Sequence, residues 1–576
     1  MSAAAGGAAQ RLQRPAAAPS SSSPSSPPAA ADAASAADRA RRRTKYRNDW
    51  QRRGDNELAS QVVLSQPFPN DGTARVAIIG GGVAGLVCAL ELARLGVRST
   101  VFDTGERGPG GRLATRTTAD GSFVGAGGGK SSNGGSGGST TATPLLAFDH
   151  AAQFFTADDP EFAALAEEWK RRGLVREWPA ERVVRLGQGG GAGGGDAKKL
   201  PRPPFYVPAT STGFRGLAQK LADEAVATGM VELQCGAWVS RLEVDRRGGR
   251  SQWRAVVRAA ASGGGGKKGT SNSSTRGCDE QGGCDQGGNG ESKSASAPLP
   301  LFDAVVIAHN GKCANRLAAP MGSPRVARQL MSLRLSAAWV AMLAFERPLS
   351  VTFEGAFVSG GGGGKTDPQQ QPLAWAANNT AKLGLLPTSD DAQASHPECW
   401  TLVSTDAYAQ RRKVPQERVP ADVARAVAAE LSAAFAAAAG LGDAENLPPL
   451  AAPPRVQLWG AALPLNSPQV ACVLDPAARV GVCGDWLLGA GVQGAALSGL
   501  ELARRMAALR GVPMDQCSAA VGDASAAAAA ADQDGLAMGL WAPFKPLGER
   551  TGPRGEFPSG GAEARAVVAA TAAVRR

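Results

Sequence analysis

The chain is poor in the residue types that build metal sites and disulfide frameworks. It has only three histidines in 576 residues, His150, His309 and His396, and aromatic residues make up 5%. So few imidazoles, so widely spaced, argue against a multi-histidine metal site. The nine cysteines include no C-x-x-C pair, which argues against a zinc site or a disulfide framework and favours a reducing compartment. We therefore predict no metal ligand.

Long apolar runs and a clustered basic face are also missing. No uncharged run of about 18 apolar residues occurs, so the sequence predicts no transmembrane segment. The chain carries 62 Lys and Arg against 51 Asp and Glu, a net charge of +11. Much of this excess lies near the amino terminus, and the rest forms no basic stripe with interleaved aromatic residues. We therefore predict no nucleic-acid partner.

Glycine is in excess, with 74 residues, and much of it is clustered in runs. Residues 1–72 are rich in Ala, Ser and Pro and then in Arg, without an apolar h-region, which predicts a disordered leader typical of a transit peptide. We expect a chloroplast protein, with the mitochondrion or the cytoplasm as alternatives, and a simple disordered tail is the other interpretation. Glycine-rich stretches without periodicity predict flexible insertions. The insertions span 125–143, 187–199, 262–297 and 360–371, and a low-complexity tail spans 512–576.

A β-α-β unit opens the patterned sequence. Ala74–Ile79 and Ser99–Phe102 are short apolar runs typical of buried strands, and Val83–Leu95 has apolar residues at helical spacing. This unit predicts a parallel sheet. Helices are also predicted at Asp159–Arg172, Phe214–Thr228, Ala421–Ala439 and from about Gly494 to Leu509. Further strands are predicted at Val231–Val244, Trp253–Arg258, Ala304–Ala308, Ala337–Phe345, Leu373–Ala377, Trp400–Ser404 and Val480–Cys483.

A G-x-G-x-x-G motif joins the first strand to the first helix. Gly80 permits the tight turn, Gly82 lets the backbone approach a pyrophosphate, and Gly85 allows close packing of helix and strand. The helix N-terminus, at Val83 and Ala84, offers N–H groups and a positive dipole end to phosphates. Asp103 ends the second strand, where a carboxylate accepts hydrogen bonds from ribose hydroxyls. Together these features predict a dinucleotide site.

Two more glycine-rich stretches indicate FAD rather than NAD. Gly110-Gly111-Arg112 would bring the backbone close to the cofactor, with Arg112 bonded to the pyrophosphate. Near the carboxyl end, a strand runs into Gly484 and Asp485, and we expect Asp485 to accept from ribityl hydroxyls. The N–H groups around Val492, Gln493 and Gly494 would face the N1 edge of the flavin, where negative charge grows on reduction. A domain that binds only NAD needs no such second contact.

With these motifs the chain resembles the FAD-dependent amine oxidase and renalase-like oxidoreductases, and most of all the renalase-like NAD(P)/FAD-binding proteins of plant and algal plastids. The resemblance spans about 76–511, outside the insertions. It implies an α/β fold of p-hydroxybenzoate-hydroxylase type, a Rossmann-like FAD-binding domain with a β-rich substrate domain inserted. Four blocks carry the match: 76–116, 148–156, 205–221 and 482–499. The implied FAD-binding segments are 73–158, 205–320 and 455–511, and the substrate-domain segments are 159–204 and 321–454.

The resemblance also implies two further cofactor contacts. Gln153 is expected near the isoalloxazine ring, and the backbone of Val239 is expected against adenine, with an ordinary strand valine as the alternative. Two segments depart from the family pattern. Asn310-Gly311-Lys312 stands where an apolar residue and a proline are usual, and Trp459-Gly460-Ala461-Ala462 replaces a large polar pair by small residues. These departures put an inherited substrate assignment in doubt.

The expected chemistry is hydride transfer from a small-molecule substrate to flavin N5, of the amine or the dihydronicotinamide type, with NAD(P)H as a possible electron donor. The alternatives are a flavin-dependent isomerase or desaturase of an apolar plastid metabolite and a non-catalytic flavoprotein.

Only Tyr206 and Tyr408 lie outside the leader, so a two-tyrosine cage for an amine is not evident. We assign no catalytic residue and leave the oligomeric state open. The polar candidates receive structural or solvated roles: His150 is expected to be hydrogen-bonded, Lys312 and Lys382 solvated, and Cys483 a buried small side chain.

Overall fold

The first sheet of the molecule has six strands, five of them parallel. The computed structural model describes residues 60–118, 145–187, 204–259, 301–309, 311–358, 371–385, 396–416, 418–522 and 536–547. The strand at one edge is antiparallel to its neighbour. The strand order is Val473–Asp475, Val480–Val482, Ala304–Ile307, Arg75–Ile79, Arg98–Phe102 and Val231–Gln234.

The chain adds strands first on one side of Arg75–Ile79 and then on the other, beginning with Ala304–Ile307. The switch point of the sheet therefore lies between these two strands. In open α/β sheets, ligands bind beyond the carboxyl ends of the strands at such a point. The predicted Rossmann-like fold class is confirmed, and the glycine motif begins at the switch point.

Apolar side chains cover this sheet on both faces because it lies between two layers. Val76 and Ile78 pack toward the side of three helices, Val83–Arg94, Phe214–Ala227 and Val492–Ala508. Ala77 and Ile79 point to the opposite face, as alternation along a strand requires. That face is covered by two helices and an antiparallel strand pair. They are Gly311–Ala318, Pro324–Ser332, Ala237–Asp245 and Gln252–Ala259.

The second sheet also has six strands and is antiparallel except for its last pair. One face packs on helix Ala421–Ala439, whose many alanines favour helix and whose end is marked by Gly440 in the left-handed conformation. The other face turns toward the block 147–156. The strand order is Arg455–Trp459, Ala338–Phe345, Glu398–Ser404, Leu373–Asn378, Gly355–Val358 and Val183–Leu186.

Short helices and strand pairs complete the fold. Helix Pro160–Arg171 starts at Asp159, whose side chain accepts from the backbone N–H groups of Glu161 and Phe162. The other short helices are Gly111–Leu113, Ala180–Arg182, Arg247–Gly249, Ala319–Met321, Asn379–Leu383, Asp406–Arg411, Ala444–Asn446, Asp485–Leu487 and Met514–Gly522. Three strand pairs complete the elements: Thr115–Thr117 with Ala147–Asp149, Val175–Trp178 with Phe205–Pro208, and Asn466–Ser467 with Lys545–Pro546.

The predicted helices and strands occur in the structure with shifts of a few residues at their ends. One predicted strand differs, because Val231–Val244 is split by a turn at Gly236, which has a φ of +64°. Lys312, predicted on a loop, lies in helix Gly311–Ala318, and its side chain is outside the described part of the chain. Asn310 and nearly all of the four predicted insertions also lie outside the described residues.

Both predicted chain ends differ from the structure. Residues 60–72, expected in the disordered leader, lie along the first sheet with Leu64 and Phe68 buried. The backbone N–H of Leu64 donates to Ala477 at 3.1 Å. Within the predicted tail, Phe544 stacks on Trp486 with ring centroids 6.1 Å apart. Neither segment has a repeating pattern of apolar residues in its sequence. Each follows an irregular path and is held by single buried apolar side chains.

The expected domain boundaries also shift. Phe162 and Trp169, placed in the 159–204 substrate segment, pack with the helices of the first sheet. Helix Pro324–Ser332, placed in the 321–454 segment, covers the other face of the same sheet. Both segments therefore divide between the two sheets, because helix Pro160–Arg171 packs on the helices of the first sheet and helix Pro324–Ser332 packs on the sheet itself.

Candidate functional site

The three motif glycines occupy different environments. Gly80 has a φ of +113°, and a Cβ there would lie 2.8 Å from the Ala308 carbonyl oxygen. A Cβ on Gly85 would lie 2.0 Å from the Gly80 carbonyl oxygen, so both positions are closed to larger residues by backbone packing. A Cβ on Gly82 would meet nothing closer than 3.9 Å. Gly82 therefore faces open space, as a backbone that receives a ligand must.

The helix that follows begins at Val83, and its first hydrogen bond runs from Leu86 N–H to the Gly82 carbonyl. The side chains of Val83 and Ala84 are buried against neighbouring helices. The first N–H groups of a helix have no partner within the helix. The loop therefore presents donors, with the positive end of the helix dipole, at the switch point.

Asp103 fixes the shape of this loop. Its Oδ2 accepts from Gly81 N–H and its Oδ1 from Gly105 N–H, each at 2.7 Å. Each carboxylate oxygen has a second lone pair, so these bonds leave acceptor capacity for a ribose hydroxyl. Asp103 thus has a structural role that the sequence did not indicate, and its predicted ribose contact stays a prediction.

Gly110 and Gly111 bring a second backbone segment to the loop. Their φ angles are +145° and +54°, which favour glycine. A Cβ on Gly111 would lie 3.7 Å from the Gly82 Cα, its nearest neighbour. Two glycine backbones therefore face each other without side chains between them, at the place predicted for the pyrophosphate.

Arg112 and Asp485, 373 positions apart, form a bidentate ion pair. Nη1 donates to Oδ2 at 2.8 Å and Nη2 donates to Oδ1 at 2.5 Å. Nη1 also donates to the Ala462 carbonyl at 3.2 Å. We predicted these two residues on separate parts of a cofactor, whereas the structure joins them. The pair connects the amino-terminal and carboxyl-terminal glycine-rich stretches into one site.

The carboxyl-terminal stretch is held against the first helix by close packing. A Cβ on Gly499 would lie 2.4 Å from the Ala84 carbonyl oxygen, so the two helices cross almost backbone to backbone. Gly484 N–H donates to Ser498 Oγ at 3.0 Å. This crossing brings the N-terminus of helix Val492–Ala508 close to the glycine motif.

Val492 and Gln493 begin that helix, and their side chains serve the fold. Val492 is buried among the apolar residues of three helices. Gln493 Oε1 accepts from the backbone N–H groups of Asp158 and Asp159, at 2.7 and 3.1 Å. The predicted flavin contact concerned backbone N–H groups, so these side-chain bonds are compatible with it.

Gln153 lies in the block that links the two sheets, but its side chain is already engaged. Nε2 donates to the Asp149 carbonyl at 2.8 Å, and Oε1 accepts from Trp375 Nε1 at 3.2 Å. The neighbouring Ala152 N–H donates to the Arg112 carbonyl at 3.1 Å. The block therefore lies beside the Gly-Gly-Arg turn as expected, with Gln153 as part of its internal support.

Val239 lies close to the end of the second strand of the first sheet. The Ala237 N–H donates to the Asp103 carbonyl at 2.9 Å, so the strand that carries Val239 begins beside Asp103. The Val239 side chain is buried in the apolar cluster that contains Phe102. Its backbone is thus near the position predicted for the adenosine part of the cofactor.

Lys382 is the main feature that sequence reasoning missed. We expected a solvated side chain, but Lys382 is fully buried, and its Nζ lies 2.9 Å from Asp149 Oδ2. Nζ also donates to the Gln153 carbonyl at 3.2 Å. Burial lowers the pKa of Lys382, and the charge of Asp149 opposes that effect. The only local signal was Asn378, which caps the short helix that carries Lys382.

The remaining candidates have structural environments. The pKa of His150 falls to about 3, first through burial and then through the charges of Arg116 and Arg455, so its ring is neutral. Cys483 is fully buried, as predicted. The Tyr206 and Tyr408 hydroxyls donate to Glu167 and Glu430, respectively. Among the residues described, no cluster of His, Cys, Asp and Glu has a geometry suited to a metal ion.

Comparisons with known proteins agree with the topology of the first sheet. A family model described as an NAD(P)-binding Rossmann-like domain matches residues 78–169. This match and the strand order define a protein with a Rossmann-like dinucleotide-binding domain. In the ranges that the structure describes, no helix is long and apolar enough to cross a membrane.

Three solved structures are similar at low sequence identity. An oxidoreductase from Methanosarcina mazei is 13% identical, with 75% of this chain and 100% of that chain covered and a TM-score of 0.42. A wild-type putrescine oxidase bound to putrescine is 11% identical, with 76% and 99% covered and a TM-score of 0.41. CmlS, a flavin-dependent halogenase, is 14% identical, with 77% and 60% covered and a TM-score of 0.36.

Proposed function

We propose that the protein is an FAD-dependent oxidoreductase that oxidises a small-molecule substrate. The observation that carries the proposal is the ion pair of Arg112 with Asp485, because it joins the Gly-Gly-Arg turn beside the glycine motif to a glycine-rich stretch 373 positions away. A domain for NAD alone has no need of this second stretch. A longer cofactor with a flavin ring would extend from one stretch to the other.

The residues present fit FAD. Gly82 and Gly111 present two adjacent backbones without side chains at the place expected for the pyrophosphate, and the N-terminus of helix Val83–Arg94 supplies donors and a positive dipole end. Arg112 adds a charge at the same place, and Asp103 keeps acceptor capacity for the ribose. The N–H groups at the start of helix Val492–Ala508 would bond to the N1 edge of the ring. The chemistry that FAD supplies when bound is acceptance of a hydride at N5.

A pair of glycine variants tests the cofactor assignment. In Gly82→Val the new side chain enters open space, so the full chain should fold normally but lose its flavin. In Gly85→Val the side chain meets backbone at 2.0 Å, so the fold itself should be lost. Gly187→Val is the control, because a Cβ there has no atom within 4 Å and the position lies far from the motif in sequence. Flavin absorbance measures the cofactor content of each variant, and circular dichroism measures its folding. Normal flavin content in folded Gly82→Val would refute the assignment.

Anaerobic reduction tests the reaction. Amines and dihydronicotinamide nucleotides are mixed with the FAD-loaded protein, and bleaching of the flavin absorbance identifies an electron donor. We expect bleaching with a member of one of these classes. Failure of both classes, with FAD bound, would contradict an amine or dihydronicotinamide substrate and favour the flavin-dependent isomerase or desaturase or the non-catalytic flavoprotein.

We also propose that residues 1–59 direct the protein to the chloroplast. The basic composition of this segment and its lack of an apolar run support the proposal. The segment stops before residue 60 because the residues that follow are packed on the first sheet. A fluorescent protein fused after residue 59 should enter chloroplasts, and a cytoplasmic or mitochondrial signal would contradict this.

A further inference from the structure

We propose that the carboxyl-terminal segment 536–547, the strap, positions the Asp485 turn, residues 485–491, and thereby slows the release of FAD, with Phe544 as the positioning residue. This inference rests on the proposed binding of FAD and names a device that regulates the same site. The strap lies within the stretch that the sequence predicts as a low-complexity tail, yet Leu540 in its middle is buried.

The strap is attached at both of its ends. Near its start, Met538 and Leu474 exchange backbone hydrogen bonds of 2.9 and 3.2 Å, which joins the strap to the edge strand of the first sheet. Near its end, Lys545–Pro546 pairs with Asn466–Ser467. The chain between these two attachments therefore has a defined course.

Two aromatic side chains of the strap lie between the attachments and contact different partners. The Phe544 ring stacks on the Trp486 ring, with centroids 6.1 Å apart and an interplanar angle of 11°. The Arg325 guanidinium, on helix Pro324–Ser332, lies 4.7 Å from the centroid of the Trp541 ring. Phe544 thus contacts the Asp485 turn, whereas Trp541 contacts a helix outside it.

The orientation of the Trp486 indole depends on packing. Its Nε1 is buried and has no hydrogen-bond partner among the residues that the structure describes. A Cβ on Gly484 would lie 2.9 Å from this nitrogen, so the indole covers the backbone directly before Asp485. Because no hydrogen bond fixes the indole, the stacked ring of Phe544 limits its movement.

The strand that pairs with the strap holds the same turn through hydrogen bonds. Ser467 Oγ donates to the Leu487 carbonyl at 2.7 Å, and the Val470 N–H donates to that carbonyl at 3.1 Å. Gln469 Nε2 donates to the Leu488 carbonyl at 3.3 Å. The last carbonyls of a helix have no partner within the helix, so these bonds fix the end of the short helix in the turn.

The turn carries the carboxylate that pairs with Arg112. Asp485 Oδ2 accepts from Arg112 at 2.8 Å and from the Gly491 N–H at 3.3 Å. The Gly489 N–H donates to the Asp485 carbonyl at 2.7 Å. Because Trp486 adjoins Asp485 in the chain, a movement of the indole also moves this carboxylate. The strap therefore acts on the proposed cofactor site through Trp486.

Hydrogen exchange of the full chain without FAD tests whether the strap positions the turn. In Phe544→Ala the amides of 485–491 should exchange about tenfold faster, because loss of one aromatic pair shifts a local opening equilibrium by about this factor. Trp541→Ala is the matched control, because it removes a ring from the same strap but not from the turn, and its rates at 485–491 should equal those of the wild type. Unchanged rates in Phe544→Ala, or the same acceleration in both variants, would overturn the proposal.

Two further substitutions at the same position complete the series. Phe544→Tyr keeps the stacked ring and should restore the wild-type exchange rates at 485–491. Phe544→Leu keeps apolar volume without a ring face and should accelerate exchange there, so it replaces the alanine variant if that variant does not fold. Fast exchange in the tyrosine variant or wild-type exchange in the leucine variant would contradict a role for the stacked ring.

Release of FAD tests the effect on the cofactor site. The FAD-loaded variants are diluted, and the fluorescence of free flavin gives the dissociation rate. Phe544→Ala should release FAD about tenfold faster than the wild type, because the cofactor leaves when the turn opens, and Trp541→Ala should stay within about twofold of the wild type. Denaturant unfolding of both variants checks that a general loss of stability is not the cause. Equal release rates from the two alanine variants would overturn the proposal.

The two measurements separate this inference from the proposed function. If the protein takes up no FAD but Phe544→Ala alone accelerates exchange at 485–491, the proposed function fails and the positioning of the turn by the strap stands. If FAD is bound and every variant releases it at the wild-type rate, the role of the strap is wrong and the assignment of FAD stands.

Discussion

Two of the ion pairs that join distant parts of this chain differ in their access to water. Lys382 with Asp149 is closed, with side chains 0% and 1% exposed. Arg112 with Asp485 is open on one side, with Arg112 35% exposed and Asp485 4%. Both bring together segments more than 200 positions apart. Lys382 has no access to another partner, whereas the partly exposed guanidinium of Arg112 can also bind a ligand.

The hydrogen bonds around each pair agree with its exposure to water. Asp149 Oδ1 accepts from Thr115 Oγ1 and from Phe214 N–H, so the buried pair fixes three segments at once. The Arg112 guanidinium bonds one carboxylate and one carbonyl, which leaves donors of its five for other acceptors. The fully buried pair therefore belongs to the scaffold, and the partly exposed pair belongs to the candidate site.

The largest effect is expected at the closed pair. Lys382→Met leaves the Asp149 carboxylate buried without its counter-charge, so the free energy of unfolding should fall by about 3–5 kcal/mol. Denaturant unfolding measures it. The double variant Lys382→Met/Asp149→Asn removes the uncompensated charge and should recover part of the loss. A loss below about 1 kcal/mol in the single variant would break the contrast between the pairs.

A pH series tests whether this interior rejects an unpaired charge. Because the pKa of His150 is about 3 in the folded protein and 6.5 ordinarily, the unfolded chain binds one more proton between these values. Stability due to His150 is therefore fully present above pH 6.5 and is lost toward pH 3, by about 1.4 kcal/mol per pH unit. The difference in unfolding free energy between the wild type and His150→Gln should follow this slope. A flat difference would mean that His150 is protonated in the fold.

The smallest change in stability is expected at the open pair. Arg112→Gln should lower the free energy of unfolding by less than Lys382→Met does, by about 1–2 kcal/mol, because water reaches the Arg112 side of the pair and the buried Asp485 keeps a hydrogen bond from Gly491 N–H. Its main effect should be on flavin retention, measured as the FAD content of the purified variant. If this variant unfolds as readily as Lys382→Met and keeps its FAD, the assignment of the two pairs is reversed.

The sequence predicted the parts of the site that depend on local order. The turn at Gly80, the close packing of Gly85 and the position of Asp103 follow from a strand, a loop and a helix that adjoin in the chain. The second glycine-rich stretch was also recognisable, because a strand ends at Gly484 and a helix follows.

The contacts between distant segments could not be predicted in the same way. Arg112 and Asp485 were each assigned to a ligand, because nothing in either segment indicates the other. Lys382 was expected in solvent, since an isolated lysine in a polar stretch has no pattern that reports burial. Leu64 and Phe68 were placed in a disordered leader for the same reason. Their burial depends on a surface that forms only when the first sheet is complete.

The identity of the bound cofactor decides whether the two glycine-rich stretches together hold FAD. The purified full-length protein is denatured, and the released small molecules are separated by chromatography against FAD, FMN and NAD standards. We expect FAD at close to one equivalent, either as purified or after incubation of the protein with FAD. A protein that releases NAD instead, or that takes up no FAD, would contradict it.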